Sequence, residues 1–381
     1  MTVPKGARPR LLHCFGSASG SSVQRAASLI AAFGDGLDHS IAFATGRGAN
    51  TAGAIPAGRN IHLMASFPVF SGKPTPRKLA NLARAMADFD LVLTYDWGAL
   101  NVAMAHTAFA QNFNLPPLIH HETGFGENGA RELGLMRNWY RRIALGRAFG
   151  LVVETERLEG IALTDWHQPI GRVRRIAVGV KTAEFDSCPA GDALRGIIKR
   201  DGEFWVGTVC DLATDCRLID LIASFAPLPM QWQLVIWGAE PAKEAIRAEA
   251  TRLEISHRVH LPGSVPDMAT ALGLLEIFVQ PPGGSVPSTN LAQAMAAGLP
   301  VLAAKGSDAE EMLSPENLPL AYAEGDAEGV ADMLDVMADD AQLRADIGMA
   351  NSERARTRFD SSTMVEAYRR LYASALQREI V

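Results

Sequence analysis

Apolar residues along this chain fall into short unbroken runs separated by segments of helical period. Residues 10–15 form the first run and end in a Gly/Ser stretch, Gly16 to Ser22. Val23, Ala26, Ala27, Leu29 and Ile30 then repeat at the spacing of one helix face. Strand-like runs follow at 39–44, 91–94, 117–120 and 151–154, with helical segments at 99–109 and 137–147. Around 175–191 the pattern loosens into turn residues. It restarts with strands at 204–209, 233–237, 258–261, 277–280 and 301–303, and helices at 217–225 and 242–253. From residue 327 the chain reads as helical, and 360–376 forms a closing helix. Strand–helix alternation of this kind predicts parallel sheets covered on both faces. The expected fold class is α/β, with two doubly wound parallel-sheet domains. Open parallel sheets bind ligands at the carboxyl ends of their strands, so a cleft between the two domains is the expected site.

Length supports two units. The chain has 381 residues, and a single core stops growing near ~250–300. Its 48% hydrophobic content is that of a globular chain, which excludes bulk disorder. A net charge of −6 and the lack of a basic excess argue against nucleic acid as a partner. No apolar run is long enough to span a bilayer, and the N-terminus lacks a secretory apolar region. A cytoplasmic protein is expected. The four cysteines form no CxxC pair and have no histidine cluster beside them, so no metal site is expected.

Candidate chemistry lies at strand ends. Gly16–Ser22 can bring backbone N–H groups to an anion at a helix start, although it is not a GxGxxG fingerprint. Gly46 to Gly53 reads as a loop. His120, His121 and Glu122 end a strand and are the catalytic candidates, since a carboxylate can orient an imidazole for proton transfer. Asp96, Trp97 and Gly98 end the neighbouring strand. Arg131, Arg137, Arg141, Arg142 and Arg147 alternate with Trp139 and Tyr140. The favoured reading is a solvated helix face with Trp139 and Ile143 in the core. The other is peripheral contact with the inner face of a membrane. In the second half, residues 279–302 run from a strand through a Gly/Pro-rich loop to a helix starting near Ser288, whose N-terminus suits a phosphate or diphosphate.

That last stretch, with Ala294-Met-Ala-Ala-Gly-Leu-Pro-Val301, resembles the donor-site segment of family 4 glycosyltransferases of GT-B fold. Further resemblances follow in the family's order along nearly the whole chain. They are Phe204-Trp-Val-Gly-Thr-Val209, Ala177-Val-Gly-Val-Lys-Thr-Ala-Glu-Phe185, Arg258-Val-His-Leu-Pro-Gly263, and Arg358-Phe-Asp360 with Tyr368 to Tyr372. The resemblance implies an acceptor-side domain at 1–178, a linker at 179–200, and a donor-side domain at 201–359. It also implies a closing helix, 360–381, that returns to the first domain. Implied too is a retaining, metal-independent transfer from a sugar nucleotide, used as substrate rather than cofactor. The acceptor would be a saccharide or a lipid-linked saccharide.

The departures fall on the donor contacts. The family's two glutamates are replaced by Ser285 and Gln293, and its diphosphate-binding Arg and Lys by Asp211 and Cys216. The resemblance then leaves donor binding to Gly20, Arg217, Ser285, Ser288, Thr289, Asn290, Leu291 and Gln293, with Lys305 as a further cation. Two readings follow. One is an active transferase with a rebuilt donor site. The other is a catalytically degenerate homologue that binds or scaffolds an active partner transferase.

Overall fold

The computed structural model describes residues 8–18, 20–45, 55, 58–124, 134–209, 217–238, 243–265, 267–280 and 288–380. The chain divides into two compact units, residues 1–177 with 364–381, and residues 178–363.

In the first unit, seven strands form one parallel sheet. They are β1 (Arg10–Phe15), β2 (Asp38–Phe43), β3 (Ile61–Leu63), β4 (Leu91–Tyr95), β5 (Leu118–Glu122), β6 (Gly150–Val153) and β7 (Val173–Arg175), in the order β3-β2-β1-β4-β5-β6-β7. Parallel strands covered on both faces are continuous apolar runs, which is why β1, β4 and β6 stand out in the sequence. Leu11, Phe15, Leu93, Ile119 and Val152 point to one face. There they meet Val23, Ala26, Leu29 and Ile30 of α1 (Ser21–Phe33), and Tyr368, Leu371 and Tyr372 of the C-terminal helix. Leu12, Cys14, Val92, Leu118 and Leu151 point to the other face. It is covered from α2 (Pro76–Met86), α3 (Leu100–Phe113), α4 (Leu135–Ala144) and α5 (Glu156–Thr164).

Strands β3 and β7 and helices α2 and α5 have no counterpart in the apolar pattern of the sequence. The two strands are three-residue edge elements with exposed residues, so they carry no apolar run. Helix α2 buries only Leu82, Ala83 and Met86 fully, and its start signals are local. Thr75 accepts a hydrogen bond from the Lys78 N–H, and Pro76 opens the first turn.

Strand order in this sheet reverses at β1. The chain leaves β1 toward β2 and β3, then returns on the other side as β4. A reversal of this kind marks the carboxyl ends of β1 and β4 as the place where open parallel sheets take ligands. Glycine is required there. A Cβ on Gly98 would lie 2.3 Å from the Cα of Gly16, and one on Gly16 would lie 2.7 Å from the Cα of Gly98.

The second unit repeats the plan with β8 (Phe204–Val209), β9 (Trp232–Trp237), β10 (Val259–Gly263), β11 (Ile277–Val279) and β12 (Val301–Leu302), ordered β10-β9-β8-β11-β12. Its helices are α6 (Leu218–Phe225), α7 (Lys243–Arg252), α8 (Met268–Gly273), α9 (Ser288–Ala296), α10 (Asp308–Met312), α11 (Ala327–Asp339) and α12 (Ala341–Arg358). The switch point lies between β8 and β11, and α9 is the helix that follows β11. Edge strand β12 is pinned by buried amides. Asn317 accepts from the Val301 N–H at 2.9 Å and donates to its carbonyl at 2.7 Å, while Asn351 donates to the Leu299 carbonyl at 2.8 Å. The last helix, α13 (Ser361–Leu376), contributes Met364 onward to the first unit. Asp360 starts it by accepting from the Ser362 N–H at 2.9 Å.

The glycine contact gives a paired prediction. Gly98→Ala meets backbone rather than a movable side chain and should cost ~1–3 kcal/mol. Gly160→Ala, in α5 with open space around it, should stabilise by ~0.5–1 kcal/mol. Urea midpoints at constant m-value check both, and equal midpoints for the two variants would refute the contact.

Candidate functional site

In the first unit the candidate site is built from the ends of β1, β4 and β5. Gly20 opens α1 at φ 113° and ψ 171°, a conformation essentially restricted to glycine, and the space where a Cβ would stand is open. Asp96 follows β4 at φ 53°, an unfavourable backbone for an ordinary residue. Its side chain offsets this strain locally. The Ser22 hydroxyl donates to one carboxylate oxygen, and the Thr123 N–H and hydroxyl donate to the other, both at 2.9 Å. Burial and the neighbouring Glu122 charge raise Asp96 above the usual carboxylate range, while the Ser22 and Thr123 donors oppose them.

His120, His121 and Glu122 lie within β5 and are almost wholly buried. Most of their polar atoms are used inside the unit, whereas His120 Nε2 has no hydrogen-bond partner. His120 Nδ1 pairs with the Thr94 hydroxyl at 2.8 Å. His121 Nδ1 pairs with the Thr94 carbonyl at 3.2 Å, and its ring stacks on Tyr95 with centroids 4.5 Å apart. Burial chiefly holds His121 down to about 3, so its ring is neutral. Glu122 accepts from Arg141 Nε at 3.1 Å and sits 3.7 Å from His120 Nε2. Burial would raise it, but His120 and Arg141 outweigh burial and hold it below the ordinary value. These three residues are buried in β5, and Asp96, Ser22 and Thr123 form a hydrogen-bonded polar group at the strand ends beside them.

Two features of this unit are not visible in the sequence. Arg25 of α1 pairs with Glu154, just beyond β6, with both side chains almost fully buried. One follows a strand and the other lies in a helix whose apolar stripe dominates, so no local signal joins them. The second is the rotation of α4. Trp139 and Ile143 are expected in the core from periodicity, but Trp139 is 63% exposed and Ile143 37%. Arg141 is the buried side chain instead, packed between the rings of Trp97 and Trp166 at 5.0 and 4.9 Å.

In the second unit, Ser288, Thr289, Asn290 and Leu291 form the first turn of α9, which carries no acidic residue. The leading N–H groups of a helix have no intrahelical acceptor and carry its positive pole, so this turn suits an anion. Gln293 lies one turn further in. Its side-chain oxygen is buried and has no hydrogen-bond partner, so it can accept a bond from a ligand hydroxyl. Arg217 precedes α6 at φ 26°, ion-paired with Asp220 and packed over Gly325. Lys305 is exposed after β12. Gly20 and the β5 residues belong to the first unit, and Arg217, Ser288 to Leu291 and Gln293 to the second. Asp211, Cys216, Ser285 and the 46–53 loop lie outside the described residues. Among the described residues, no group of three His, Cys, Asp or Glu side chains is placed to hold a metal ion.

Comparison with known proteins defines the class. Residues 204–340 match the family model described as glycosyl transferases group 1. Among solved structures, HepE from Anabaena in complex with UDP and glucose is 15% identical, with a TM-score of 0.75 over 96% of this chain and 100% of that one. A glycosyltransferase from Rickettsia africae is 13% identical, with a TM-score of 0.74 over 97% and 99%. Sucrose-phosphate synthase from Thermosynechococcus elongatus is 19% identical, with a TM-score of 0.73 over 96% and 100%. No curated protein matches in sequence. The chain therefore has the GT-B fold, and its second unit contains the segment similar to group 1 glycosyl transferases.

Buried neutral histidines set a pH dependence for the first unit. His13 Nε2 and His39 Nδ1 lie 3.0 Å apart. Burial lowers both, His39 to about 4, and the His39 and His121 charges lower His13 further. The unfolded chain protonates near pH ~6.5, whereas these rings do not. Their contribution is complete above that value and is lost as pH falls toward the folded values, at ~1.4 kcal/mol per pH unit per histidine. Melting temperature should fall steeply from pH 7 to 5, and His39→Asn should flatten the slope. Parallel slopes for the two proteins would refute the assignment.

Proposed function

We propose that the chain transfers a sugar from a nucleoside diphosphate sugar to a hydroxyl of a saccharide or lipid-linked saccharide, with retention of configuration and without a metal. In that reaction the acceptor oxygen bonds to the anomeric carbon as the carbon–phosphate-oxygen bond breaks. The nucleoside diphosphate leaves with the electron pair, and the acceptor's proton ends on it. The observation that carries the reading is the first turn of α9. It lies beside the β8–β11 switch point, inside the segment that matches group 1 transferases, and is free of acidic side chains. HepE, the neighbour with UDP and glucose bound, supports the choice of a uridine nucleotide as first probe. In this reading Ser288 to Leu291 face the diphosphate, and the unpartnered oxygen of Gln293 accepts from a ribose hydroxyl. Arg217 contributes from the loop that precedes α6. Asp96 and Thr123 address the acceptor, and His120, His121 and Glu122 stand buried beside them.

The replacements at Asp211, Cys216 and Ser285 favour the second reading, a homologue that scaffolds an active transferase. Calorimetry with UDP and UDP-glucose separates the two. At a ligand concentration ~100 times Kd the folded state gains ~2.7 kcal/mol. No shift with any sugar nucleotide, together with co-purification of an active transferase, would leave the scaffold reading. Gln293→Leu should weaken UDP binding about tenfold, the loss of one hydrogen bond of ~1.4 kcal/mol. It should leave the free protein no less stable, because the removed oxygen has no partner to lose. An unchanged UDP affinity would remove Gln293 from the site.

A separate prediction addresses the acceptor side. Asp96→Asn should lower transfer at least tenfold while UDP affinity stays unchanged, measured by sugar release and calorimetry on the same preparation. Full activity in this variant would exclude Asp96 from the reaction.

A further inference from the structure

Helix α4 presents its apolar side outward. At 3.6 residues per turn, Leu135, Met136, Trp139 and Ile143 fall within an arc of about 100°. Leu135 is 89% exposed, Met136 83% and Trp139 63%. The opposite side faces the unit. Asn138 accepts from the Trp166 indole N–H at 3.0 Å, Arg141 is bound to Glu122, and Arg137 lies over the Trp97 ring at 4.7 Å. Helix α3 anchors α4, through Tyr140 donating to Asn101 at 2.6 Å and Thr107 donating to the Ala144 carbonyl at 2.7 Å. Four contiguous large apolar side chains on water are costly for a free surface, and such patches mark interaction sites.

Charge selects the occupant. Residues 134–149 contain four arginines and no acidic residue, in a chain whose net charge is −6. Arg142 lies on the edge of the apolar arc, and Arg142 and Arg147 are both exposed. We infer that α4 is an interfacial docking helix that lays Leu135, Met136, Trp139 and Ile143 into the surface of an anionic lipid bilayer. Arg142 and Arg147 stand at the headgroups, where phosphate attracts guanidinium. Indole is suited to the boundary between acyl chain and headgroup, having an apolar body and a polar tip. A second copy of the chain is a poorer occupant. Symmetric self-pairing would bring two patches of the same positive charge together. No helix among the described residues is long and apolar enough to cross a membrane, so the contact is one of lying on the surface.

The test is co-sedimentation of the full chain with phosphatidylcholine vesicles, with and without a third of phosphatidylglycerol. Binding is expected only to the anionic vesicles, and to fall in about 1 M salt, where the Debye length is about 3 Å. Leu135→Glu with Trp139→Glu should reduce the bound fraction at least tenfold, and Arg142→Glu should reduce it several-fold. Circular dichroism should stay unchanged, because these side chains are exposed. No sedimentation with anionic vesicles, or binding that the variants leave intact, would overturn the inference. So would a concentration-dependent dimer that the same double substitution dissolves, since the face would then belong to a second copy. Equal binding to neutral vesicles would overturn the role of the arginines.

Discussion

A carboxylate buried at the end of β5 sets the arrangement of the first unit. Glu122 is removed from water, and a buried charge is tolerated only when paired and hydrogen-bonded. Arg141 supplies the pair from α4, and its guanidinium fills the space between two indole rings. That requirement fixes the rotation of α4. With Arg141 inward, Arg137 and Asn138 turn toward Trp97 and Trp166, and the apolar residues have only the outside to occupy. The same carboxylate acts on the candidate site. Burial, and after it the Glu122 charge, raises Asp96, whose hydrogen bonds reach the residue after Glu122 in the chain, Thr123. One ion pair thus couples the polar group at the strand ends to the surface of the unit. Glu154 repeats the solution one strand over, taking Arg25 from the helix on the opposite face.

The fold is legible because parallel strands are apolar on both faces. Phe204 to Val209 is such a run and is a strand with those bounds. The three-residue β3 and β7 carry no comparable signal. The site is legible only in outline. Asp96 and Glu122 stand out as polar residues at strand ends, yet nothing local indicates that Glu122 is buried beside Asp96 or which cation meets it. Residues 19 positions apart form that ion pair. Helix α4 shows a further limit. Periodicity tells which residues share a face, and it assigns the apolar face to the core by default. Here the buried Glu122 takes Arg141 inward instead, since leaving that carboxylate unpaired costs ~3–5 kcal/mol. Apolar side chains left at the surface cost ~1.5–3 kcal/mol each, and a partner that covers them recovers that cost.

The most recognisable string of the second unit shows why fold and activity are read from different residues. Within Ala294 to Val301, the Ala296 carbonyl accepts from Ser352 at 3.3 Å, and Gly298 adopts φ 73° against Gly348. The Leu299 carbonyl accepts from Asn351, and Val301 is held by Asn317. Those roles are contacts and hydrogen bonds that tie α9, β12 and the turn between them to α12 and to Asn317. Such a string closes a core. It would do so equally in a protein that transfers nothing. Beside it stands Gln293, whose side-chain oxygen is buried and unpartnered. An amide with no internal partner is a cost to the free protein unless a ligand meets it. That cost, rather than the motif, is the physical reason the proposed donor site includes Gln293.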